Sequence, residues 1–517
     1  MVQPFLGLRG RSLLVANTCS AGMGFVLFGY DDGVIGGLLT APSFQDVFNL
    51  TSSMQGTVTS LFLVGAFFGS LMTSLNNDRL GRLRMTHIGS VAIVLGAIIQ
   101  ASSFSTAQLI VGRIVAGFGL GIIASNVVIW QSETSPKAQR GALIAGSLSF
   151  LLVGQVIAYW MDYGMNSYTG TIVWRFPMGF QALFAILMSV MLCFMPESPR
   201  WLIMNERYDE AKEVLRALRS ANPEVESVVA SEMAEIREAV AVEHSQRRRG
   251  WMALLRHEDL VGSRRRVILA CLVNFMQPWS GSTPVSYYTT YIFEESVGFS
   301  RHMSLLMSGF LQIWFLIASA GTWWFIERAG RRRMFMITGT AMAIVMAILA
   351  AMIAIDTHAS GIVAAVMLFA YQAFYTWGFM GGVWCYGPEI LPLDFRGRGL
   401  GLANSMLWIW SFVVVEIVPT AISNIGWKTY LIFSCFNLAF VPLVYFFFPE
   451  TSGLTLELVD LAFMDPTTNP VKRASELRRM IKEGQDLNLR GNTGDVGEKF
   501  ELSTEQVETR SETNAGV

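Results

Sequence analysis

Charge is what this chain has least of. Of its 517 residues only 15% are Asp, Glu, Lys or Arg, against 52% hydrophobic, where a soluble globular domain carries about 25% charged residues. That deficit excludes an ordinary water-soluble protein. The 39 acids and 38 bases nearly cancel, to a formal net charge of -1, which leaves no basic face for nucleic acid. Cysteine is scarce as well. The five, Cys19, Cys193, Cys271, Cys385 and Cys435, are scattered, mostly through apolar runs, with neither a disulfide framework nor metal-ligand spacing. The five histidines are dispersed too. No Ser-His-Asp constellation, metal cluster or phosphate loop stands out, so the sequence does not read as an enzyme and implies no cofactor and no metal.

Long apolar runs are what it has in abundance. A helix that spans a bilayer takes about 20 such residues. Runs of this kind fall near 13–38, 54–76, 85–104, 107–130, 140–163 and 175–195, and again near 266–293, 303–326, 333–355, 361–386, 398–424 and 428–448. The first is too long for a signal-peptide core and has no convincing cleavage site, so it reads as an uncleaved span. The pattern predicts an all-α integral membrane protein with twelve transmembrane helices. Its expected domains are a six-helix bundle over 13–195, a cytoplasmic linker over 196–265, a second six-helix bundle over 266–448 and a cytoplasmic tail over 449–517. Charge mixed with helical-period apolar residues predicts short amphipathic helices in the linker. Beyond about 465 the chain is polar and poor in aromatics, and a largely disordered tail is expected.

Loop charge gives the orientation. Arg79, Arg82, Arg84, Lys137, Arg140, Arg328, Arg331, Arg332, Arg333, Arg396 and Arg398 all lie in even-to-odd loops. The opposite loops offer little beyond Arg301 and Lys428. Both termini are therefore expected in the cytoplasm, in a multi-pass protein of the plasma membrane. Asn49-Leu50-Thr51 is a sequon in the first outside loop, which makes Asn49 a glycosylation candidate.

Three signatures occur once in each half. Asp78-Arg79-Leu80-Gly81-Arg82 recurs as Glu327-Arg328-Ala329-Gly330-Arg331. Glu133-x-x-Pro136-x-x-x-Arg140-Gly141 recurs as Glu389-x-x-Pro392-x-x-x-Arg396-Gly397. Pro196-Glu197-Ser198 recurs as Pro449-Glu450-Thr451. Two parallel six-helix repeats follow, with a midplane site expected between them. Acids and arginines at helix ends suit ion-pair clusters that hold one conformation and break in another; the plainer reading is that positive charge pins loops inside.

Acids sit well inside two of the apolar runs: Asp31 and Asp32 in FGYDDGVIGG, residues 28–37, and Glu416 in FVVVEIVPT. An ionisable side chain at membrane depth costs at least a few kcal/mol and ordinarily faces a partner or a water-filled path. On a helix the two aspartates point about 100° apart.

Taken in order, FGYDDGVIGG, DRLGR, Gly112-Arg113, ETSPKAQRG, PESPRWL, ERAGRR, PEILPLDFRG and PETSGLTLE resemble the sugar porter family of the major facilitator superfamily across nearly all of 13–460. WRFPMGFQ, residues 174–181, is similar to its fungal members. The resemblance implies the major facilitator fold and alternating-access transport by a monomeric transport unit in the lipid bilayer. It also implies a sugar site made mainly by the fifth, seventh, eighth, tenth and eleventh spans. On the fifth, the sugar-bonding amide falls on Gln155 or the position aligns nearer Tyr159. On the seventh, Gln277, Thr283, Tyr287 and Tyr288 occupy the family's pattern, with Pro278 in place of a second glutamine and Thr283 in place of asparagine. On the eighth, the usual asparagine falls on Phe315, with Gln312 one turn away. Trp384 matches the stacking tryptophan of the tenth span, and Trp408 matches on the eleventh beside Leu407 and Ser411. In the family an acid at the Asp31 position pairs with an arginine, here Arg113, in proton symporters, and Asp32 is the lesser candidate.

The residue chemistry suits such a substrate. Amides both donate and accept hydrogen bonds, and an aromatic plate covers the C–H face of a sugar ring. Helix–helix hydrogen bonding by the glutamines and simple packing of the tryptophans are the plainer alternatives. Each missing hydrogen bond in a closed site costs about 1–3 kcal/mol, so the lost amides point away from ordinary glucose toward a pentose, a polyol or a modified sugar. The function expected is proton-coupled symport of a monosaccharide-sized sugar or polyol. The alternatives are passive facilitative uniport, transport of a sugar-like acid such as quinate, and a non-transporting sugar sensor.

Overall fold

The computed structural model describes residues 7–136, 140–220, 224–246, 263–392, 396–454, 456–464 and 469–482. The first half contains α1 (Arg11–Leu38), α2 (Pro42–Phe48), α3 (Ser52–Leu80), α4 (Arg82–Ala101), α5 (Thr106–Thr134), α6 (Arg140–Met165) and α7 (Ile172–Leu192). Three helices follow on the linker: α8 (Pro199–Met204), α9 (Tyr208–Arg219) and α10 (Val225–Gln246). The second half contains α11 (Ser263–Trp279), α12 (Ser282–Tyr291), α13 (Arg301–Ala329), α14 (Arg331–Ile355), α15 (His358–Tyr375), α16 (Gly381–Ile390), α17 (Arg396–Ile425) and α18 (Lys428–Phe447). Two further helices, α19 (Leu456–Met464) and α20 (Pro470–Lys482), lie beyond it.

Ten helices among the described residues are long and apolar enough to cross a membrane. The other two spans expected from sequence fall on α6 and on the interrupted pair α11–α12. Helix is the backbone state the bilayer imposes, because it satisfies every N–H and C=O within the segment. Local residues set the ends: the side chains of Thr51, Ser105 and Ser300 cap α3, α5 and α13, each accepting from a backbone N–H left free at a helix start.

Helices pack closely where glycine removes the side chain. A Cβ on Gly29 of α1 would run into the Leu151 carbonyl of α6, and one on Gly117 of α5 into the Phe62 carbonyl of α3. Within the first half α1 lies on α6, α3 on α5 and α4 on α5; within the second, α14 lies on α15 and α18. The halves meet along α3 with α17, α6 with α13 and α1 with α12.

The seventh span breaks where its sequence cannot continue a helix. Pro278 removes a donor, and Gly281 takes φ +100°, a conformation that favours glycine. Two of the freed carbonyls find partners: that of Gln277 accepts from the hydroxyls of Ser280 (2.7 Å) and Ser282 (2.8 Å), and that of Ser280 accepts from Tyr371 (3.0 Å) and Asn437 (2.7 Å) of neighbouring helices. A broken span with satisfied backbone marks a cavity lining rather than a lipid face.

The linker carries three helices among its described residues, with α9 burying Ala211, Val214, Leu215 and Leu218 on one face. One short stretch of the tail is ordered. Residues 470–482, within the stretch expected to be disordered, form α20, whose buried Val471, Ala474 and Leu477 supply an apolar stripe at helical spacing. Before it, α19 is fixed to the second half by an ion pair between Asp460 and the buried Arg266 at 2.6 Å. Residues 247–262 and 483–517 lie outside the described residues.

Candidate functional site

One end of the bundle carries the duplicated motifs, and they form the same device twice. Gly81 (φ +93°) and Gly330 (φ +77°) start α4 and α14 in a left-handed turn. A Cβ on Gly81 would lie 2.8 Å from a Glu197 carboxylate oxygen, and one on Gly330 2.6 Å from that of Glu450. Glu197 accepts the backbone N–H groups of Arg82 (3.1 Å) and Leu83 (3.2 Å); Glu450 accepts those of Arg331 (2.9 Å) and Arg332 (3.2 Å). Each carboxylate thus caps a helix N-terminus, where negative charge is favoured. Burial pushes the Glu197 carboxyl up from its ordinary value, against the pull of these N–H bonds.

The arginines complete the device. Arg82 grips Glu133 with a two-pronged fork, 2.8 and 2.9 Å, and reaches Asp78 at 3.5 Å. Arg331 holds Glu389 at 2.8 Å. Ser198 donates to Glu133 as Thr451 donates to Glu389. Every one of these pairs lies within a half, so the motifs brace each bundle. Arg79 and Arg328 are exposed, and the side chains of Arg140, Glu327 and Arg396 lie outside the described residues.

At the opposite end the contacts cross between halves. Arg301 of α13 donates to the Gly37 carbonyl of α1 (3.0 Å), to Asn166 just past α6 (3.0 Å) and to Thr40. Tyr163 and His302 share a hydrogen bond of 3.2 Å. Tyr159 donates to the Ser286 carbonyl (2.6 Å), and Tyr287 to Asp32 (2.5 Å). Glu416 of α17 accepts from Thr57 (2.8 Å) and Ser60 (2.5 Å) of α3, which resolves its placement: it bridges the halves. Asn49 is exposed, in a left-handed cap after α2 at this same end.

Between the two ends lies a cavity at the helix break. Gln155 lines it from α6, Gln277 from α11, and Thr283 and Tyr287 from α12. Trp384 and Trp408 line it from α16 and α17. Gln277 donates to Tyr375 at 2.9 Å, while its amide oxygen and that of Gln155 have no protein partner. Trp408 packs on Phe28 with ring centroids 5.5 Å apart.

Two residues expected in the lining are elsewhere. Tyr288 is fully buried and donates to the Val415 carbonyl at 2.9 Å, since it points away from the face that Tyr287 presents. Gln312 is buried against Thr289, 3.5 Å away, and Phe315, one turn on, takes its place in the lining. Conversely Phe28, Asp32 and Tyr375 line the cavity without having been singled out as sugar contacts. Asp32 is one residue from Asp31, and only the helical phase of α1 distinguishes them. Tyr375 is set by a π-helical turn, Thr376–Met380, that α15 runs into, which no local motif announces.

Asp31 is fully buried behind this lining, and neither of its oxygens has a direct protein hydrogen bond. Arg113 of α5 is equally buried, lies 4.4 Å from the Phe62 ring and is close enough to Asp31 for charge to couple them. The structure brings the pair together without a contact ion pair.

Comparison with known proteins now has a geometry to attach to. The model of the family described as "Sugar (and other) transporter" matches residues 16–463. The chain belongs to that family. Its relatives among the sugar transporters include the sugar transporter STL1 of Saccharomyces cerevisiae, 31% identical over 97% of this chain and 91% of that one. The MFS-type transporter oryC of Aspergillus oryzae is 34% identical over 89% and 87%. Among solved structures, the xylose transporter XylE from E. coli, in a partially occluded inward-open conformation, superposes with a TM-score of 0.73 at 22% identity, over 86% of this chain and 100% of that one. That likeness shows the major facilitator fold: two six-helix repeats in an all-α, multi-pass membrane protein. The family's members that match are transporters, and transport rather than catalysis is the class of this molecule.

Proposed function

We propose that the protein carries a monosaccharide-sized sugar or polyol together with a proton, by alternating access. The observation that carries this reading is the cavity at the break in the seventh span, where Gln155, Gln277, Trp384 and Trp408 converge between the halves. Two amide oxygens without protein partners suit hydroxyl donors, and two indoles suit the C–H face of a ring. Asp31 and Arg113, buried beside it, are the proton-coupling pair: a movement that changes their separation alters how tightly the carboxylate holds a proton. Names of similar proteins lend support, since XylE is a proton:xylose symporter and the yeast relative a sugar transporter.

On this reading 13–195 and 266–448 are the bodies that move, 196–265 links them and 449–517 is the tail. The motif end, with both termini, faces the cytoplasm, and the end held shut by Arg301 and Glu416 faces outside a plasma membrane. The test is uptake in a transport-deficient host with medium pH recorded. Added substrate should alkalinise the medium, and Asp31→Asn should lose accumulation against a gradient. Accumulation by Asp31→Asn would remove Asp31 from the coupling role; wild-type uptake indifferent to an uncoupler would make the protein a uniporter.

A further inference from the structure

Among the seventeen lining residues of the cavity, Asp32 is the one acid, and none is a base. The rest are amides, hydroxyls, aromatic rings and apolar side chains. Tyr287 donates to its Oδ1 at 2.5 Å. That bond fixes the carboxylate in place and leaves Oδ2 with its lone pairs for a ligand. Behind Asp32, Asp31 and Arg113 are both completely buried. Two carboxyl groups thus stand against one guanidinium at the site. A lining of this kind discriminates by charge more strongly than by shape, because a like charge brought into a desolvated site is rejected whereas an opposite one neutralises it.

We propose that Asp32 sets the substrate's charge class: the cavity favours a basic amino sugar over the neutral sugar of the same shape and excludes the corresponding sugar acid. The inference rests on the transport reading above and sharpens its substrate class. The neutral sugar uses a hydroxyl as donor to Asp32; an ammonium group in that place adds a charge-assisted hydrogen bond, which is roughly twice as strong. A carboxylate in that place meets Asp32 Oδ2 with no cation in the lining to answer it. Sugar-like acids such as quinate are thereby removed as substrates.

The test uses the full chain in proteoliposomes at pH 6, where an aliphatic amine is protonated. Radiolabelled D-glucose, D-xylose and D-sorbitol are offered, and uptake of the best carried is competed with D-glucosamine and with D-glucuronate. For wild type we expect D-glucosamine to compete at least about 5-fold better than D-glucose, and D-glucuronate at least about 10-fold worse, the tenfold steps into which a charge-assisted contact ordinarily converts. In Asp32→Asn, which keeps an acceptor for Tyr287, both ratios should move toward one. Where that variant does not reach the membrane, Asp32→Ser gives the same reading. Tyr287→Phe leaves the carboxylate and should keep the wild-type order. An unchanged order in Asp32→Asn, or an order lost only in Tyr287→Phe, overturns the role of Asp32 and leaves transport standing. Wild type that carries none of the three neutral solutes overturns the transport reading and this inference with it.

Discussion

Gln155 and Gln277 differ in how much of each amide is already engaged. Gln277 spends its nitrogen on Tyr375, whereas the Gln155 oxygen has no protein partner. We therefore expect Gln155→Ala to raise KM for the transported solute by about 5- to 100-fold, the equivalent of about 1–3 kcal/mol of hydrogen bonding. Initial-rate uptake over a concentration series measures it. Most of these lining positions are legible in the sequence, because the family resemblance places Gln277, Trp384 and Trp408 on particular spans. The two that lie outside the lining do so for different reasons. Gln312 sits one turn from the lining residue Phe315 on the continuous α13, whereas Tyr288 stands beside a lining residue on a kinked span, where helix phase is not fixed by spacing. The non-helical φ of -123° at Tyr288 is the kind of local irregularity that shifts phase without a residue to announce it.

Glycines on α1 separate two kinds of helix contact. Gly29 faces Leu151 of α6, inside one half, whereas a Cβ on Gly36 would come 2.6 Å from the Tyr287 carbonyl of the other half. Bulk at Gly29 should therefore disrupt every conformation, and bulk at Gly36 only the one with this end closed. We expect Gly29→Val to abolish expression of folded protein. Gly36→Val should fold, as judged by size-exclusion chromatography, yet lose net transport. Glu416 on α17 gives the polar counterpart. Its two hydroxyl donors sit on α3, so Glu416→Ala should bias the end open by about 1–3 kcal/mol. Labelling of a cysteine placed at Thr283 by an impermeant maleimide, in a background without the five native cysteines, reads that bias; labelling equal to that with Glu416 intact would count against it. The break in the seventh span was legible from Pro278 and Gly281. The π-helical turn after α15 was not, since nothing in TWGFM demands it.

The two halves repeat the same brace with different burial. Arg82 is 4% exposed and Arg331 20%. Removing a partner from a buried charge is strongly destabilising, by about 3–5 kcal/mol, while a more exposed ion pair is worth much less. Glu133→Ala should consequently lower the melting temperature of the purified protein well beyond Glu389→Ala. Equal shifts would mean that water reaches Arg82 as readily as Arg331. The duplication itself was plain in the sequence, in three motif pairs whose offsets agree to within a few residues; that the motifs brace each half from within was not, because spacing along a chain says nothing about which neighbour an arginine will grip.

Asp460 on α19 supplies the counter-charge for Arg266, which is 1% exposed at the entrance to the second half. The short helix α19 is therefore docked on the second half rather than trailing from it. Trimming back to residue 482 removes none of the described contacts, but trimming to 454 takes away the carboxylate paired with this buried guanidinium, so α19 belongs with the second half rather than apart from it.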